Sequence, residues 1–133
     1  MLWNGENRTA TGASLRPLGA VIGVEVYDAV LTAPMAERER RRFSRALRHR
    51  HLICLRRQDQ SSASLKAFAE SLSDGTIGGM LAAPANLSER QTIAFIDQHL
   101  LDRARTIRPE FIYRHAWRAG DVLIWTHRLK LAT

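Results

Sequence analysis

Cysteine is nearly absent from this chain: Cys54 is the single one among 133 residues. One thiol excludes an internal disulfide framework and fits a reducing, cytoplasmic compartment. It lies in the apolar run Leu52-Ile53-Cys54-Leu55, which favours a buried, inert thiol over a nucleophile. No apolar run approaches the ~20 residues that a membrane-spanning helix needs. Residues 1–14 have neither a basic n-region nor an apolar h-region, which argues against a signal peptide; they read as a flexible lead-in. Aromatic residues are sparse, and only Phe43 interleaves with the densest basic segment, so a base-stacking platform is lacking. Gly75, Gly78 and Gly79 are followed by no Lys-Ser/Thr pair, which argues against a phosphate cradle and favours a connecting loop over 74–79. No internal repeat is evident.

What is present describes one globular domain. Hydrophobic residues make up 45% and charged residues 25%, ordinary values for a chain with a single core. The net charge of +7 comes largely from residues 37–51. Basic density of this kind suits phosphate neutralisation, yet on a helix Ala36, Phe43, Ala46 and Leu47 form a narrow apolar stripe. Arg38, Arg41, Arg42, Arg45 and Arg48 fall mostly outside it, and Glu37 to Arg41 has ion-pair spacing. A solvated amphipathic helix is therefore preferred to a nucleic-acid face.

The local patterns predict a strand or hairpin over 15–27, a helix over 34–49, a strand over 52–55 and a helix over 62–72. Ser88 with Gln91 resembles a capping box, and Ile93, Ile96, Leu100 and Ala104 follow at helical spacing, which predicts a further helix. Phe111, Tyr113 and His115 alternate with Ile112, Arg114 and Ala116, the period of a strand. Ala119-Gly120-Asp121 is turn chemistry, and Val122-Leu123-Ile124-Trp125 reads as a buried strand.

The segment from Pro109 onward resembles the Fe(II)- and 2-oxoglutarate-dependent dioxygenases of the taurine dioxygenase-like (TauD/TfdA) family. Their late core has the form Pro-Glu-Phe-x-Tyr-Arg-His-x-Trp-x-x-Gly-Asp-x-x-x-Trp-Asp-Asn-Arg, followed by a metal-ligand His. Pro109, Glu110, Phe111, Tyr113, Arg114, His115, Trp117, Gly120, Asp121, Trp125 and Arg128 fall in register. Thr126-His127 replaces the Asp-Asn pair, and Ala132 stands where the ligand His is expected. Gly19, Gly23, Glu25, Leu31 and Pro34 match the family's opening hairpin, and Leu55, Arg56 and Gln58 match its Phe-Arg-x-Gln strand end. Phe68-Ala69 matches the helix after it, and residues 86–111 resemble the helix leading into the late core.

The resemblance implies an α+β protein: a partial double-stranded β-helix (jelly-roll) remnant with covering helices, residues 15–133 forming one incomplete domain. It implies Fe(II) and 2-oxoglutarate as the family's cofactors and a small organic acid, such as taurine or an aryloxy acid, as substrate. Yet no His in the chain is followed two residues later by Asp, so the family's His-x-Asp metal motif is lacking. The family's 2-oxoglutarate Arg is expected past Thr133, and the chain reads as truncated and internally deleted. Catalytic and cofactor-binding residues are therefore not expected at family positions, and inactivity of the isolated chain is. The substitutes that remain for a metal are His115, Asp121 and His127, against the plainer reading that His115 is a strand residue and Asp121 holds the turn. Arg128 keeps the family's Arg beside the iron pocket, and Trp117 and Trp125 suit core or pocket walls. Sheet edges left open by missing strands suggest a homo-oligomer.

Overall fold

The computed structural model describes residues 7–8, 14–29, 36–58, 62–72, 77–87, 91–96 and 111–132. Nine strands and two helices lie within them: β1 Asn7–Arg8, β2 Ser14–Pro17, β3 Val24–Tyr27, α1 Glu37–Arg50, β4 Leu52–Leu55, α2 Ser62–Leu72, β5 Ile77–Ala82, β6 Thr92–Ile96, β7 Ile112–His115, β8 Val122–Thr126 and β9 Leu129–Ala132. They form a six-stranded sheet, β1-β2-β3-β4-β8-β5, and a three-stranded sheet, β7-β6-β9. No helix among the described residues is long and apolar enough to cross a membrane.

β4 is the centre of the larger sheet. It pairs parallel with β3 and antiparallel with β8. A parallel pair needs a crossover, and α1 supplies it between β3 and β4. Both faces of β4 are covered, which is why Leu-Ile-Cys-Leu is apolar throughout and does not alternate. Ile53 and Leu55 join Phe43, Leu47, Leu65, Phe68 and Leu72 of the helices in one core. Leu52 and Cys54 join Ala94, Ile96, Trp117 and Leu129 in a second core against the smaller sheet. The result is three layers: helices, large sheet, small sheet.

Helix α1 carries Glu37 and Glu39 in its first turn and Arg48, His49 and Arg50 in its last, which complements its dipole. His51 ends it in the left-handed region, at φ 69°. Arg50 donates to the carbonyls of Gly19 and Gly23, tying the helix end to the β2–β3 hairpin. Phe43, Ala46 and Leu47 are buried as the apolar stripe predicts, while Ala36 is exposed. Arg38, Arg41, Arg45 and Arg48 face solvent.

Two expectations fail. The predicted helix after Ser88 is instead β6, flanked by β7 and β9. Thr92, Ala94 and Ile96 are buried and Ile93 and Phe95 half-buried, a period of two that the spacing of Ile93 and Ile96 concealed. Ser88, Leu100 and Ala104 lie outside the described residues. The glycine-rich segment is not simply a loop, because Ile77–Ala82 pairs with β8 across a register shift between Ile77 and Gly79. A Cβ on Gly79 would lie 2.4 Å from the Trp125 ring, so the glycine is what lets the indole lie over the strand. Within the expected lead-in, Asn7 and Arg8 pair with Leu15 and Ser14.

The helix-side core generates a test. Phe43 is 1% exposed and meets Phe68 edge to face, with ring centroids 5.5 Å apart. Phe43→Ala should cost about 3–5 kcal/mol in urea unfolding, whereas the exposed Arg45→Ala should stay within about 0.5 kcal/mol.

Candidate functional site

The polar residues of the interior converge where β3, β4, β7 and the turn before β8 meet. Arg56 follows β4 directly, and its N–H donates to the Val26 carbonyl at 2.9 Å, so its side chain leaves the end of the buried sheet. Its guanidinium is held between two carboxylates. Nη1 donates to Asp121 Oδ2 at 2.6 Å, and Nε and Nη2 lie 3.1 and 3.0 Å from Glu25 Oε2. Asp121 is 1% exposed and His115 7%.

The turn sets Asp121. Gly120 has φ +82°, and a Cβ there would lie 3.0 Å from Arg57 Cα and Gln58 N, so this position requires glycine on both counts. The Gly120 carbonyl accepts from the Gln58 N–H at 2.8 Å, locking the turn onto the end of β4. Asp121 Oδ2 accepts from the Arg118 N–H at 2.8 Å and from His115 Nε2 at 3.0 Å. An ionised carboxylate only accepts, so Nε2 carries a proton and a neutral imidazole leaves Nδ1 to accept from the Tyr113 hydroxyl, 2.6 Å away. Oδ2 thus takes three donors, while Oδ1 is buried with no partner. Cys54 Sγ lies 4.0 Å from His115 Nε2.

The protonation states follow from these contacts. Burial alone would raise the Asp121 carboxyl, but hydrogen bonds from His115, the Arg118 N–H and Arg56 outweigh it and hold it below its ordinary value. Burial, and then the Asp121 charge, push the Cys54 thiol up to about 12, so it is a neutral thiol at physiological pH. Burial likewise raises the Tyr113 phenol.

The structure brings together two of the three substitute ligands. His115 and Asp121 are in contact; His127 is exposed in the tight turn between β8 and β9, where the chain passes from the large sheet to the small one. His115 ends β7 of the small sheet, whereas His127 follows β8 of the large one, so the two do not lie on adjoining strands. The third group beside the pair is Cys54: its sulfur, a His115 ring nitrogen and an Asp121 oxygen all lie within 4.8 Å of one another. No sequence signal announced this, since Cys54 and His115 are 61 residues apart. Trp117 is a core wall whose Nε1 donates to Thr92 Oγ1 at 3.0 Å, and its ring meets His115 edge to face. Trp125 is half-buried against Gly79, and Arg128 is exposed. Leu87, Gln91, Thr92, Arg114, His115 and Trp117 line an open groove of about 640 Å³.

This fold is that of the taurine dioxygenase-like, alpha-ketoglutarate-dependent dioxygenases. The chain is similar to AAD-2, solved in complex with Mn(II) and N-oxalylglycine, with a TM-score of 0.70 at 12% identity over 91% of each chain. It is also similar to a taurine dioxygenase from Burkholderia xenovorans, with a TM-score of 0.62 at 13% identity over 90% of this chain and 81% of that one. A protein from the same organism assigned as an alpha-ketoglutarate-dependent 2,4-D dioxygenase gives 0.67 at 12% identity over 90% of each. No family model and no curated protein matches the chain.

Because the folded-state pKa of Asp121 is depressed, its contribution to stability is complete above the ordinary carboxylate value of 3.8 and is lost as pH falls through the folded value. Asp121→Asn should therefore lower the urea midpoint clearly at pH 7, and its deficit relative to the unaltered chain should narrow below about pH 4.

Proposed function

We propose that the chain is a TauD/TfdA protein by descent, with residues 15–133 forming one incomplete domain, a partial double-stranded β-helix with helices over one sheet. The family's reaction is oxidative hydroxylation of a small organic acid, such as taurine or an aryloxy acid, with Fe(II) and 2-oxoglutarate. In this reading the isolated chain does not carry it out. The observation behind it is which motif positions retain a purpose. Trp117, Gly120, Asp121 and Arg56 build the core and its turn. The positions that serve iron lack donors: no His-x-Asp occurs, and Ala132 of β9, opposite Ile93, replaces the distal His.

The residues on hand do not fit the iron group. Such a centre needs two His and one carboxylate on one face of the ion, with the remaining positions open. Here Asp121 Oδ2 is taken by Arg56, His115 and the Arg118 N–H, and His127 points to solvent from another element. Anaerobic titration of the folded protein with Fe(II) and 2-oxoglutarate tests this directly. The expected outcome is no visible charge-transfer band; a band saturating at one equivalent of iron would overturn the proposal.

The alternative to catalysis is a binding or interaction module. Its support is the set of strand edges at β1, β5, β7 and β9, which pair on one side only among the described residues. Unpaired edges favour association between copies. Size-exclusion chromatography should then show a concentration-dependent homo-oligomer, and a monomer at every concentration would count against it.

A further inference from the structure

We propose that Cys54, His115 and Asp121 form a buried site for a zinc-class divalent metal ion, close behind the groove beside His115 and Trp117. This goes beyond the descent from a dioxygenase and does not depend on it, because the donor set, the elements and the ion all differ.

The geometry is the first support. Cys54 Sγ and His115 Nε2 are 4.0 Å apart, and a carboxylate oxygen of Asp121 lies within 4.8 Å of both. A tetrahedral zinc ion with a thiolate, an imidazole and a carboxylate has ligand–ligand edges of about 3.3–3.5 Å, so the three side chains need to close in only slightly around an ion. The second support is Asp121 Oδ1, an oxygen of a 1% exposed residue with no hydrogen-bond partner. A buried acceptor left bare is costly, and it is the donor a metal would take while Oδ2 keeps Arg56 and the Arg118 N–H.

The surroundings match what a ligated imidazole requires. Coordination through Nε2 places the ring proton on Nδ1, where Tyr113 Oη at 2.6 Å is the acceptor that fixes the ring. The thiol gives up its proton to solvent as the metal–sulfur bond forms, so one proton is released per ion bound. The charges then close: two negative ligands balance the ion, and Glu25 balances Arg56. Thiolate ligation selects zinc over magnesium or calcium. The groove of about 640 Å³ runs past His115, but the imidazole is only 1% exposed, so an ion and a water as fourth ligand enter as the ring gives way.

Cobalt(II) is the spectroscopic probe. Cys54 is the chain's only cysteine, so a thiolate-to-cobalt charge-transfer band can arise from no other residue of the chain. Titration of the folded, metal-free protein should produce that near-ultraviolet band together with intense visible bands of four-coordinate cobalt, saturating at one equivalent and abolished by zinc. Cys54→Ser, checked for folding by circular dichroism, should lose the near-ultraviolet band. No charge-transfer band in the folded wild-type chain would overturn the proposal without recourse to any variant, and so would a band that persists in folded C54S. Because no 2-oxoglutarate is added, the outcome is separable from that of the iron titration.

Discussion

One carboxylate oxygen joins the layers of this protein. Asp121 Oδ2 accepts from Arg56 at the end of β4, from His115 at the end of β7 and from the Arg118 N–H within the turn that starts β8. Through Arg56 it also reaches Glu25 of β3. Burying Arg56, His115 and Asp121 is expensive unless each finds a partner, and removing one leaves the others stranded. The small sheet is thus placed against the large one by directional bonds as well as by apolar contact. The left-handed Gly120 is what lets the turn come close enough to β4 for this to happen.

The apolar cores are built around the same strand. β4 sends Ile53 and Leu55 toward the helices and Leu52 and Cys54 toward the small sheet. The thiol therefore packs beside the polar cluster. The motif shared with the dioxygenases contributes chiefly to this joint: Trp117 closes the second core, Gly120 and Asp121 make the turn, and Trp125 lies over Gly79. Such a joint serves packing, independently of whatever chemistry the fold carries.

Much of the architecture was legible locally. The strand over 52–55 and the helix over 62–72 have the bounds the patterns predicted, because an apolar tetrapeptide between basic residues has the length of a buried strand and a Ser-led run suits a capped helix. The two late strands around Gly120 were legible for the same reason. β6 was not: Thr-Ile-Ala-Phe-Ile contains apolar residues at both helical and strand spacing, and its pairing with β7 and β9 decided between them. β5 was hidden by its glycines, which usually mark loops. Here they make room for an indole that arrives from a strand far away in sequence.

The sequence by itself determined the elements whose hydrophobic period is unambiguous, the turn at Gly120, the buried state of Cys54 and the absence of the His-x-Asp motif. These are properties of neighbouring residues or of mere presence, and local sterics and burial decide them. Tertiary structure alone decided which polar groups meet. Glu25 and Arg56 are 31 residues apart, Arg56 and Asp121 65, and Cys54 and His115 61. Nothing in the local pattern of any of them names its partner. It also decided that His127, an equal candidate on paper, faces water. The chain changes sheets between β8 and β9, and the turn that makes the change carries His127 away from the interior.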